Sequence, residues 1–122
     1  MADNGEQMKV YNKTLGFLVG AVLLINAAQV SAEPFSPQHE QVKKRFQSSE
    51  EKTAKDAIWT QRDIFKVGVI NDGTPRDGYA DYVCQVLYEY GFKGDKVWVQ
   101  VIDIVKLTRN GDWIKLGESH CQ

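Results

Sequence analysis

The stretch Tyr79–Tyr90, "YADYVCQVLYEY", decides the fold. Read as a helix, Ala80, Val83, Cys84 and Leu87 fall at i, i+3, i+4 and i+7 and make one apolar stripe. Asp81, Gln85 and Glu89 then share the polar face. Read as a strand, Tyr82, Cys84, Val86, Tyr88 and Tyr90 alternate without a break. Period alone does not choose between the two. The flank favours the helix: Gly91-Phe92 has the form of a C′ glycine followed by the apolar C″ residue of a Schellman stop.

Working outward, Ile64–Ile70, "IFKVGVI", is rich in β-branched residues and predicts a strand. Gly68 inside it marks a point of close packing. Asn71–Gly78, "NDGTPRDG", is the strongest loop signal in the chain. Downstream, Val97–Leu107, "VWVQVIDIVKL", is apolar on both faces and predicts a central strand. Asn110-Gly111 tolerates positive φ at both turn positions and predicts a hairpin, with Trp113–Glu118 as the return strand. Upstream, Ser36-Pro37 reads as an N-cap and N1 proline. From Gln38 to about Thr60 the spacing of Val42, Phe46, Ala54, Ala57 and Ile58 predicts one helix, with Glu51 and Lys55 as an i,i+4 pair. Lys43-Lys44-Arg45 reads as its solvated side.

The predicted fold is therefore a small single α+β domain: an N-terminal helix, then strand–helix–strand, then a C-terminal β-hairpin. The strand–helix–strand unit should form a right-handed crossover and pair two strands in parallel. If Tyr79–Tyr90 is instead a strand, the chain becomes one helix on a four-stranded antiparallel meander, an arrangement like that of a cystatin. In a simple meander Cys84 and Cys121 would sit two strands apart, about 9–10 Å, too far to bridge.

The amino end carries an export pattern. Leu15–Ala28, "LGFLVGAVLLINAA", has the length of a signal-peptide h-region and is shorter than the roughly 20 residues of a spanning helix. Lys9 and Lys13 precede it, and Val30-Ser31-Ala32 places small residues where a signal peptidase reads. Cleavage after Ala32 is expected. Asp3 and Glu6 sit oddly in a basic n-region, so Met8 is the expected start. That leaves residues 33–122 as the mature domain, periplasmic or secreted, with no stable membrane insertion. An uncut signal would instead make a membrane-tethered small protein. The leader removes Lys9, Lys13, Asp3 and Glu6, so the net charge stays at −1. Such a balance lacks the basic stripe of a nucleic-acid binder.

Cys84 and Cys121 are the two cysteines of the chain. In a small exported domain they are expected to pair. The bridge would close a loop of about 38 residues and contribute roughly 4 kcal/mol in the chain-entropy model. No CxxC spacing favours a metal pair, and nothing basic flanks Cys84 to activate its thiol.

No motif names an activity. HExxH, GxSxG, SxxK and phosphate-loop patterns are absent. Asp72 and Asp77 match no metal loop, so neither metal nor cofactor is expected. His39 and His120 lie near the ends of the mature chain and are expected to be exposed. Asp103 interrupts an apolar strand and must be paired, solvated or perturbed, with a strand-end salt bridge as the expected answer. The sharper signal is aromatic. Tyr79 and Tyr82 follow the loop that holds Asp72, Arg76 and Asp77, and tyrosine beside arginine is typical of recognition surfaces. The expected function is a non-enzymatic binding or accessory protein of the cell envelope, of the inhibitor type, with another envelope protein or a small ligand as partner. The alternative is a small secreted hydrolase that uses Asp72, Asp77 or Asp103.

Overall fold

A computed structural model describes residues 35–122. The export signal, the Met8 start and the cut after Ala32 lie outside the described residues. The elements run α1 (Pro37–Phe46), β1 (Ala54–Gln61), β2 (Ile64–Val69), α2 (Asp77–Glu89), β3 (Trp98–Asp103), α3 (Ile104–Asn110) and β4 (Lys115–His120). The four strands form one sheet in the order β1-β2-β3-β4. β2 and β3 are parallel, and both outer pairs are antiparallel. This is the α+β class that the sequence predicts.

The pivotal stretch is a helix. Ala80, Val83, Cys84 and Leu87, the expected stripe, are all buried, with Val86 beside them. Its end is a Schellman stop: Gly91 has φ 93, Phe92 N donates to Leu87 O at 3.1 Å, and Gly91 N donates to Tyr88 O at 3.1 Å. Phe92 folds back into the core. The meander alternative is thereby set aside.

The register divides the sheet into two faces. Phe65, Val67 and Val69 of β2 stand beside Val99 and Val101 of β3, and Trp59 and Ala57 of β1 join them. These side chains, with Val42 and Phe46 of α1 and the stripe of α2, make one core. Each fully buried Val, Leu or Phe contributes about 1.5–3 kcal/mol. α3 lies on the opposite face. There a Cβ on Gly68 would come within 2.8 Å of Ile104 Cδ1, so the expected close packing is present.

Five sequence readings fail, each for a local reason. The helix expected over 38–60 stops at Phe46. Ser36 accepts from His39 N and starts it as predicted, but Gln47 caps it at the other end. From Ala54 the chain is the edge strand β1, where Ala57 and Trp59 alternate into the core and Ile58 points out. Glu51 therefore never meets Lys55 at helical spacing. It reaches back to Arg45 instead.

The strand expected over Val97–Leu107 stops at Asp103. Its carboxylate accepts from Val105 N at 3.0 Å and Lys106 N at 3.1 Å, which makes it the N-cap of α3. Such a cap contributes about 1 kcal/mol. Asp103 is thus neither a strand-end ion pair nor a free acid. Asn110-Gly111 is correspondingly not a hairpin turn. Gly111, at φ 77, ends α3 and donates to Leu107 O at 2.9 Å. β3 and β4 are antiparallel neighbours joined through a helix.

His39 is also not exposed. Its Nε2 lies 2.9 Å from Arg62 O and its Nδ1 lies 2.6 Å from Ser36 Oγ, while the ring packs edge-on against Trp59 and Phe92. His120 is exposed and stacks on Trp98.

Candidate functional site

The first turn of α2 is fixed from β4. Arg76 N donates to Leu116 O at 3.0 Å, and Glu118 N donates to Asp77 Oδ1 at 2.9 Å. Gly117 lies between these two bonds, directly against the Arg76–Asp77 backbone. Upstream, Asp72 closes its own turn by accepting from Thr74 N and Thr74 Oγ1. Those two bonds hold its carboxyl below the usual range, with help from Arg76. Arg76 Nη2 pairs with Asp72 Oδ2 at 3.4 Å and donates to Ile70 O at 3.0 Å.

One turn further on, the Tyr79 and Tyr82 rings lie 5.8 Å apart, tilted by 31°. Tyr82 is 42% exposed, yet its hydroxyl is tied down and donates to Glu51 Oε2 at 2.9 Å. Glu51 is 5% exposed. The same carboxylate oxygen receives Arg45 Nε at 2.9 Å. Arg45 in turn lies over the Tyr90 ring and reaches Glu89 Oε1 at 3.6 Å. A buried carboxylate is tolerated because two donors satisfy it.

Of the five sequence candidates, Asp72 pairs with Arg76 and Tyr79 packs beside Tyr82, with the Arg76 charge acting on the Tyr79 phenol. Asp77 is committed to β4. Two atoms here are buried with no partner, the Tyr79 hydroxyl and Arg76 Nε. The three aspartates of the hydrolase alternative are dispersed: Asp103 caps α3, Asp77 holds β4, and Asp72 closes a loop. None of the described grooves is lined by any of them. Among the described residues no group of three His, Cys, Asp or Glu side chains is placed to hold a metal. Sequence reading misses Arg45, Glu51 and Tyr90. Arg45 and Glu51 are six apart and sit on either side of a helix end, so no helical spacing links them.

Cys84 and Cys121 form the expected disulfide, with Cα atoms 5.5 Å apart. It fastens the middle of α2 to the end of the chain, where Gln122 N donates to the Tyr88 hydroxyl at 2.6 Å. Among the described residues no helix is long and apolar enough to cross a membrane.

The tyrosines make stability depend on alkali. Burial first, then the charge of Glu51, pushes the Tyr79 phenol well above its ordinary 10.0. Tyr82 is raised by burial and by its bond to Glu51. The folded chain thus holds phenolic protons that the unfolded chain releases. This stabilisation is complete below about pH 10 and fades as pH climbs from there through the folded values. The melting temperature is expected to fall above that pH, and Tyr79→Phe to shallow the fall. An identical alkaline slope in wild type and Tyr79→Phe would refute the assignment.

No family model matches the chain, and neither a curated protein nor a solved structure matches it.

Proposed function

We propose that this is a small exported accessory protein of the cell envelope, a non-enzymatic module that recognises another envelope protein through the Arg76–Tyr79–Tyr82 surface. The observation that carries the reading is Tyr82: an exposed aromatic ring whose hydroxyl is anchored to buried Glu51, itself paired with Arg45. A surface ring held in one orientation loses little conformational entropy when a partner covers it. Tyrosine and arginine are also the side chains that most often dominate binding energy. The disulfide supports export, because such bonds persist in oxidising compartments.

The test is site-specific photocrosslinking in cells from position 85, one turn along α2 and exposed. A single discrete adduct is expected in the envelope fraction. Tyr82→Ala and Arg76→Ala should abolish it while the circular dichroism spectrum at the working temperature is retained, with Tyr82→Ala melting lower because Glu51 loses one of its two donors. An adduct that persists in both variants would remove the surface from consideration. The mass of the recovered chain checks export in the same sample, since a chain cut after Ala32 with no free thiol is expected.

A further inference from the structure

Among the described residues, the face of the sheet turned away from α1 and α2 is only partly covered. Register places Ile58, Lys66, Gly68 and Ile102 there, and α3 lies over Gly68 through Ile104. Between α3 and β1 runs a groove of about 260 Å³. Its apolar walls are Ile58, Ile102, Ile104, Leu107 and Trp113, and Lys43 of α1 and its cap Gln47 reach its rim. Ile58 is 47% exposed and Trp113 49% exposed, although both are large and apolar. This surface lies across the sheet from the core that α2 covers. It is independent of the tyrosine surface.

The charges around the groove are unequal. Asp56 brings one carboxylate, and its Oδ1 already accepts from Gln47 Nε2 at 2.9 Å and Ala57 N at 2.8 Å. Lys43 is paired with Glu40 at 3.3 Å. Lys66 differs. Its Nζ lies 4.6 Å from the centroid of the Trp113 ring, and among the described residues no carboxylate is within ion-pair distance of it. A cation resting on an aromatic face keeps its hydrogen-bonding capacity for an incoming anion.

We infer that the groove binds a small amphipathic carboxylate, its short aliphatic chain against Ile58, Ile102, Leu107 and Trp113 and its carboxylate on Lys66. The size favours a short chain, since the volume lies just under the roughly 300–1,000 Å³ of sites for drug-sized ligands. The apolar walls supply the driving force, and the single available cation sets the sign of the head group. An added peptide strand fits less well. Along β1 the Ala57 amide donates to Asp56 and its carbonyl accepts from Gln47, so the edge that a strand would pair with is occupied there.

The probes are decanoate and decylamine, each below its micelle concentration, and decanol below its solubility limit, titrated into the disulfide-bonded protein and followed by amide chemical shifts. Decanoate is expected to bind saturably, with shifts centred on Ile58, Lys66, Leu107 and Trp113. Decanol should bind more weakly and decylamine not at all. Lys66→Gln should weaken decanoate about tenfold, the loss of one charge-assisted contact, and leave decanol unchanged. Ile58→Asp, at an exposed strand position, should weaken both. Non-saturating decanoate, decylamine binding equal to decanoate, or an unchanged decanoate affinity in Lys66→Gln would each overturn the inference. None of these results bears on the tyrosine surface, so the two readings stand or fall separately.

Discussion

Replacing Cys84 and Cys121 together by alanine is expected to lower the melting temperature by roughly 15–30 °C. The two residues are 37 positions apart, and cross-linking them removes loop-closure entropy from the unfolded chain. In the chain-entropy model the bond contributes about 4 kcal/mol. For a domain of this size each kcal/mol moves the midpoint by roughly 4–8 °C. The share is large because a short chain buries a modest core. The native structure also leans on the bond. Cys121 is buried just past the edge strand β4, and its amide donates to Val97 O at 2.8 Å. The measurement is a thermal melt of the oxidised wild type, the reduced wild type and the double variant. The last two should agree with each other and lie well below the first. A double variant melting within a few degrees of oxidised protein would mean that the C-terminal contacts hold unaided.

Gly117→Val is expected to destabilise the fold by about 3 kcal/mol, at the upper end of ordinary overpacking. A Cβ at this position would lie 2.3 Å from Arg76 C, 2.5 Å from Asp77 N and 2.7 Å from Arg76 O. All three atoms are backbone, so no side chain can swing aside. Either β4 or the start of α2 must move. Both routes strain the two hydrogen bonds that dock them, Arg76 N to Leu116 O and Glu118 N to Asp77 Oδ1. Gly78 supplies the control. It lies in the same turn of α2, a Cβ added there would meet nothing within 4 Å, and its φ is not positive. Gly78→Ala should therefore stabilise by about 0.4–1 kcal/mol. Urea denaturation reads both. Equal midpoints for Gly117→Val and wild type would show that the strand and helix are not locked together as described. The displacement also reaches the tyrosines, because Arg76 and Tyr79 ride on the turn that moves.

What was legible in the sequence was set by short-range signals that agree with one another. Tyr79–Tyr90 has a stripe and a stop, and the structure contains both. The parallel pairing of β2 and β3 follows from that single helix. Asp103 and Asn110-Gly111 misled because the same residues serve two grammars. An aspartate after an apolar run can interrupt a strand or cap a helix. An Asn-Gly pair can turn a hairpin or end a helix in the left-handed region. Which one applies depends on whether the residues between them coil. The open face of the sheet needs that coil, because Ile104 fills the space that Gly68 leaves. β1 was hidden for a different reason. Ala54, Ala57 and Ile58 mimic a helical stripe, and only the burial of Trp59 on the alternate spacing exposes the strand. In the candidate site, the tyrosines and Arg76 could be read from composition near a loop. Their anchor, Glu51 with Arg45, is a tertiary contact that no local pattern encodes.

The position of the disulfide also decides how the molecule answers a pull. β4 is an edge strand that stops beside Cys121, and a free edge strand unzips one hydrogen bond at a time when it is tugged. Here a tug applied beyond Cys121 passes at once through it into Cys84, and so loads the middle of α2. β4 is bypassed. The segment between the cysteines, 37 positions long, cannot lengthen as the chain is drawn straight, and roughly 120 Å of potential extension is withheld. A machine that threads the chain inward past Cys121 would meet a covalent loop before it reached β4.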